Sequence, residues 1–134
     1  RYAIGTLGNV EAFDKIRNHF GMARVSVAGA LAALKDQAYL HDVVGKIAVA
    51  RDRISAIARS NGLSPLPSAT NFVTIDCQRD GTYARAIVDG LMEHGVFIRM
   101  PGVAPLNRCI RISAGVEADM ARLEAALPEV LKSL

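Results

Sequence analysis

Tryptophan is absent from these 134 residues, and the remaining aromatics are four phenylalanines and three tyrosines. Nucleic-acid binders draw on aromatic stacking and on runs of Lys or Arg, and this chain has little of the first and none of the second. A net charge of +3 spread along the sequence is the charge of an ordinary solvated surface. Cysteine is also scarce. Cys77 and Cys109 belong to no CxxC pair and no Cys/His cluster, so a metal centre has no support. Both lie in strand-like segments, where packed thiols in a reducing cytoplasm are the expectation and a disulfide between neighbouring strands stays open. No apolar run approaches the roughly 18 residues a bilayer-spanning helix requires. Neither nucleic acid nor membrane is therefore expected as a partner.

Hydrophobic residues make up 51% of the chain and charged residues 22%, a composition that forms a core. The chain opens on Arg1 rather than Met and enters a β-like segment at once, so it is expected to be a piece of something longer. Tyr2-Ala3-Ile4-Gly5 reads as the end of a strand. Val10, Phe13 and Ile16 carry helical spacing over 10–18. The Ala-rich run Val25–Leu34 is apolar almost all round, the pattern of a helix buried on more than one side. Asp36 caps a further helix reaching about Arg59, and Asn61-Gly62 with Pro65 and Pro67 stops it.

Beyond the prolines the period changes. Asn71–Cys77 alternates as a strand, and Asp80 caps a helix that ends at Gly95. Val96–Met100 and Cys109–Ala114 are two more strands, and a helix over about 117–133 closes the chain. The order β-α-β-β-α predicts a small α+β layer, a mixed sheet with helices on one face. Alternation puts Ile110, Ile112 and Ala114 on one side of the last strand and Cys109, Arg111 and Ser113 on the other. In Val96–Met100 it sets Phe97 and Arg99 opposite the aliphatic positions. A guanidinium within an apolar strand must be paired or functional, since an uncompensated buried ion costs several kcal/mol. Its planar fork suits a carboxylate. Two readings stay open here: Arg99 and Arg111 converge on one anionic ligand, or each pairs with a carboxylate such as Asp76 or Glu117.

Ser68-Ala-Thr-Asn-Phe-Val73, Gly95-Val-Phe-Ile-Arg99 and Cys109-Ile-Arg-Ile-Ser-Ala-Gly115 resemble the carboxy-terminal part of pyridoxal-phosphate aminotransferases of fold type I, in the branch of histidinol-phosphate aminotransferase. Ala30–Leu40 fits the helix break of that branch, and Tyr2–Gly5 the strand after its cofactor lysine. The resemblance implies an α/β fold-type-I aminotransferase. Residues 1–35 would end the large cofactor-binding domain, 36–62 form the interdomain helix, and 63–134 the small α+β domain. Arg111 would hold the substrate α-carboxylate and Arg99 the substrate's distal group. The cofactor, pyridoxal 5'-phosphate, would act as an electron sink while nitrogen passes from an amino acid or amino-alcohol phosphate to a 2-oxo acid, with 2-oxoglutarate and glutamate as the expected pair. Such enzymes are homodimers with active sites between subunits, so a homodimer is implied.

Three departures from the family pattern stand out. The Schiff-base lysine falls upstream of Tyr2, while Lys15, Lys35, Lys46 and Lys132 sit on helical patterns and read as solvated. Arg1 occupies a glycine position of the family's Arg-x-Gly-Tyr. His19-Phe20-Gly21-Met22-Ala23 replaces Pro-Phe-Asn-Val-Asn, which leaves the substrate, and the parts played by Asn18, His19 and Arg24, unassigned. Two further readings are a decarboxylase of the threonine-phosphate type and a non-catalytic α+β binding module. A folded monomer with no exposed apolar face along Val25–Leu34 would favour the second.

Overall fold

The computed structural model describes residues 5–18 and 21–134. The expected strand over Tyr2–Gly5, the place of Arg1 and the role of His19 fall on or beside residues outside that set. The chain divides into two compact units, Arg1–Leu40 and His41–Leu134.

The first unit holds α1 (Leu7–Ile16) and α2 (Arg24–Lys35). Its apolar side chains lie open: Phe13 on α1, and Val25, Val27, Leu31 and Leu34 on α2, with Val25 79% exposed. The run expected to be buried on more than one side is thus uncovered in these residues. A hydrophobic helix face of this kind is stable in water only against another surface. A closed face here would have favoured the non-catalytic module; the open one gives it no support. Asp36 separates α2 from α3 (Gln37–Ser60) and caps it as expected, its carboxylate accepting from the Tyr39 N–H at 3.0 Å.

The second unit is a sheet with helices on one face. α3 ends where Gly62 takes a positive φ of 75° and the Leu63 N–H reaches back to the Ala58 carbonyl at 2.9 Å. That is the left-handed stop for which Asn61-Gly62 is suited. β1 (Ser64–Pro65), β2 (Phe72–Asp76) and β3 (Cys109–Ser113) form the sheet in that order. α4 (Gly81–Glu93) and α5 (Glu117–Lys132) pack on it. Asp80 accepts from the Tyr83 N–H at 2.9 Å, and Ala84, Ile87, Val88 and Leu91 then form the buried stripe of α4. α5 buries Met120, Leu123, Ala126, Leu127 and Val130. α4 and α5 touch closely: a Cβ on Gly90 would lie 2.7 Å from Val130 Cγ1. Ile54 and Ile57 of α3, Val73 and Ile75 of β2, and Ile110 and Ile112 of β3 complete one core.

Three features depart from the expected layer. The sheet is antiparallel at every pairing, not mixed, because β3 returns between β2 and the segment that follows α4. The connector holding Pro65 contributes the short edge strand β1, a position where a missing N–H is harmless. Val96–Met100 forms no full strand and joins β3 only at Arg99. Two constraints flank that bridge. The Val96 N–H closes the end of α4 on the Leu91 carbonyl at 2.8 Å, and Pro101 has no N–H to offer. Among the described residues no helix is long and apolar enough to cross a membrane.

Candidate functional site

Alternation along β2 and β3 buries Val73, Ile75, Ile110 and Ile112 under the helices and turns Phe72, Thr74, Arg111 and Ser113 to the open face. The register pairs Phe72 with Ser113, Thr74 with Arg111, and Asp76 with Cys109. On the far edge of β3, Arg99 and Arg111 exchange both backbone bonds, N–H to O=C, at 3.1 and 2.6 Å. In such a pair the facing Cα atoms lie about 5.5 Å apart and both side chains leave the same face. The structure therefore brings the two sequence-predicted arginines side by side. Arg99 is exposed and Arg111 half-buried.

Like charges placed directly opposite each other are unfavourable unless an anion or a carboxylate intervenes. The carboxylates that might have answered them are engaged elsewhere. Asp76 holds Arg108 at 2.6 Å. Glu117 and Glu124 hold Arg53 at 2.6 and 2.7 Å, and the same hydrogen bonds keep Arg53 firmly protonated. Among the described residues no carboxylate forms an ion pair with Arg99 or Arg111. Among the described residues the side-chain partner of Arg111 is aromatic: its guanidinium carbon lies 4.9 Å from the centre of the Phe72 ring. The bland alternative, pairing with Asp76 or Glu117, is not what these residues do.

Two hollows mark the second unit. One of about 410 Å³ runs between Arg51, Ser55 and Arg59 of α3 and the segment Pro65–Ser68. The other, about 330 Å³, lies between Val96–Ile98, the end of β3 and the start of α5. Neither is lined by Arg99 or Arg111, which stand on the open sheet face. An anion bound there keeps contact with water until a further surface covers it.

The thiols are not exposed on this face: Cys77 belongs to the core, and Cys109, which shares the parity of Arg111 along β3, is covered. Cys77 and Cys109 are buried and free. Burial, with a smaller contribution from the neighbouring Cys109, pushes the Cys77 thiol up from 9.0 to about 11. Burial also raises Cys109. A folded state that keeps its proton to higher pH than the unfolded state loses stability as alkali rises. The contribution of Cys77 is complete below pH 9 and is lost as pH climbs toward about 11. Urea unfolding between pH 7 and 11 is expected to show this as a loss on the order of 2–3 kcal/mol that disappears in Cys77→Val. A native thiol that reacts quickly with a disulfide reagent at pH 8 would overturn the burial argument.

Sequence reasoning found both arginines and missed Phe72 as their neighbour. The signal was present in part, since Phe72 shares a parity with Thr74 and Asp76. Which strand lies beside β2, and in what register, is not written in the alternation.

No family model matches the chain. It is 36% identical over 122 residues to a histidinol-phosphate aminotransferase of Geotalea uraniireducens, covering 90% of this chain and 34% of that protein. Histidinol-phosphate aminotransferase 2 of Rhizobium meliloti is 32% identical over 133 residues, 97% of this chain and 37% of that protein. Among solved structures, the histidinol-phosphate aminotransferase of Sinorhizobium meliloti in complex with pyridoxal-5'-phosphate superposes with a TM-score of 0.88. Identity there is 66%, over 94% of this chain and 34% of that one. The chain thus spans about a third of the length of these relatives. An antiparallel sheet backed by α4 and α5, an arginine pair on its open face and this likeness define a segment of a fold-type-I aminotransferase. The chain belongs to that family, in the branch of histidinol-phosphate aminotransferase.

Proposed function

We propose that this chain supplies the substrate-carboxylate clamp of a pyridoxal-phosphate-dependent aminotransferase. The observation that carries the proposal is the Arg99–Arg111 pair, two guanidiniums on one open face with no carboxylate partner among the described residues. Arg111 would grip the α-carboxylate through two parallel N–H···O bonds. Arg99, one strand position across, would meet the distal anionic group of the substrate. The pair suits substrates with two anionic ends, or one anionic end and a phosphate. This matches 2-oxoglutarate as acceptor, with glutamate formed; an amino-alcohol phosphate as donor would offer its phosphate to Arg99 and bring no carboxylate to Arg111.

Pyridoxal phosphate, when bound, supplies an electron sink for the pair released at the substrate α-carbon. The described residues offer the clamp for the substrate and no cradle for the cofactor. Lys15, Lys35, Lys46 and Lys132 lie on α1, α2, α3 and α5, and in this reading further chain would supply the Schiff-base lysine. What Arg111 does is positional: it fixes the carboxylate so that the α-carbon hydrogen is held in one direction relative to the cofactor plane. Restricting a reactant in this way accounts for a large part of an enzymatic rate. The open arginine face suits an assembly in which further chain and a second subunit close the site. Buried, unpaired thiols suit the cytoplasm.

The test is the complete protein, purified, with histidinol phosphate and 2-oxoglutarate. It is expected to be yellow, to lose its colour with borohydride, and to form glutamate only when both substrates are present. A colourless protein, or carbon dioxide released from threonine phosphate without glutamate, would exclude the transaminase reading.

A further inference from the structure

The clamp proposed above leaves one question of mechanics: what holds an arginine with no carboxylate partner in a single orientation. The Arg111 guanidinium lies over the Phe72 ring at 4.9 Å. Cations favour the face of an aromatic ring, and Arg stacks on it with its plane. The Phe72 backbone is itself held by side chains. In the ladder between the β1 segment and β2, the Leu66 N–H donates to the Thr74 carbonyl at 2.8 Å. The next inward-facing acceptor of β2 is the Phe72 carbonyl, and the chain opposite it has just passed Pro67, which has no N–H. Side chains replace the missing donor. The Ser68 hydroxyl donates to the Phe72 carbonyl at 2.6 Å and the Thr70 hydroxyl does the same at 3.1 Å. The Phe72 N–H donates to Thr70 Oγ1 at 3.4 Å, and the Thr70 carbonyl accepts from Arg51 at 3.3 Å. On its other side Phe72 is in register with Ser113, two residues beyond Arg111.

We infer that Phe72 is a positioning residue for Arg111, and that the Ser68 and Thr70 hydroxyls hold the Phe72 backbone from which the ring reaches the guanidinium. The inference rests on the carboxylate reading of Arg111. The ring touches no reacting atom. It restricts the side-chain rotations of Arg111, so the fork faces the open side of the sheet before any substrate arrives. A carboxylate then meets a pre-oriented partner and loses less affinity to ordering it. A ring serves where a carboxylate would not: Asp or Glu at this place would occupy the fork and compete with the substrate.

The experiment compares Phe72→Leu, Phe72→Tyr and Arg111→Ala in the complete protein. The readouts are KM, kcat, thermal midpoint and the Kd of maleate, a dicarboxylate with no amino group to transfer. Phe72→Leu is expected to raise the maleate Kd and the KM about three- to thirtyfold, the range of a cation–ring contact, with kcat within about twofold. Phe72→Tyr, which keeps the ring, is expected to restore the wild-type Kd. A merely structural role would move the thermal midpoint and leave the KM-to-kcat split alone. Should Phe72→Leu fail to fold, Phe72→Met, closer in volume, carries the same expectation. If Arg111→Ala weakens maleate while neither aliphatic variant does, the positioning role is wrong and the clamp stands. If Arg111→Ala also leaves maleate binding unchanged, the clamp reading itself fails.

Discussion

Arg111→Ala in the complete protein is expected to raise the KM for the 2-oxo acid by about thirty- to several-thousandfold. Truncating one partner of a hydrogen-bonded charge pair costs about 2–5 kcal/mol, and the substrate carboxylate is the partner proposed here. The stability of the fold should hardly change. Arg111 is half-buried, forms no ion pair among the described residues, and its loss removes one ring contact. Lysine is not expected to rescue the variant, because a single ammonium cannot reproduce the two parallel bonds of a guanidinium. Steady-state kinetics with 2-oxoglutarate, alongside a thermal scan, checks both halves. A KM within threefold of wild type would remove Arg111 from the site, and a collapsed thermal midpoint would make it a structural residue.

Ile110→Ala, one position earlier in the same strand, is expected to do the reverse. Ile110 is wholly buried on the helix-covered face, in register with Ile75. Its truncation removes three carbons from a close-packed core and leaves a cavity, at a cost of about 2–5 kcal/mol. Ile110→Val should cost only about 0.5–1.5 kcal/mol. Affinity for the 2-oxo acid in the fraction that remains folded should stay near wild type, since the Ile110 side chain leaves the sheet away from Arg111. Urea titration followed by circular dichroism reads the first quantity, and kinetics at low temperature the second. A loss below about 1 kcal/mol would mean that the core under β3 is looser than the burial of Ile110 indicates. Together the two variants separate the faces of one strand: adjacent residues, opposite consequences.

Much of this arrangement is legible in the residues alone. The positions Ile87, Val88 and Leu91 can be read as a helix face from their 3.6-residue period, whereas Met92, which the sequence also set inward, is exposed. Asp36, Asp80 and Gly62 mark helix ends through local chemistry, a side-chain acceptor in two cases and a left-handed backbone in the third. Alternation assigns Arg99 and Arg111 to the non-aliphatic face of their segments, because side chains of a strand leave on alternate sides whatever lies beyond. Segment order carries the resemblance to an aminotransferase.

Pairing between distant segments was decided elsewhere. Nothing in the alternation of Val96–Met100 says that only Arg99 joins β3; that follows from where α4 ends and which donor its last turn consumes. Nothing near Asp76 or Glu117 says that Arg108 and Arg53 take them, leaving the strand arginines without carboxylates. The seat of Arg111 on Phe72 depends on a register set by the entire antiparallel sheet. The sequence by itself determined the helices, the caps at Asp36 and Asp80 and the face each arginine uses, since these depend on neighbours within about four residues and on the fixed periods of helix and strand. Tertiary structure alone decided the partners of those arginines, because a contact across strands depends on register, and register is settled only when the whole core closes.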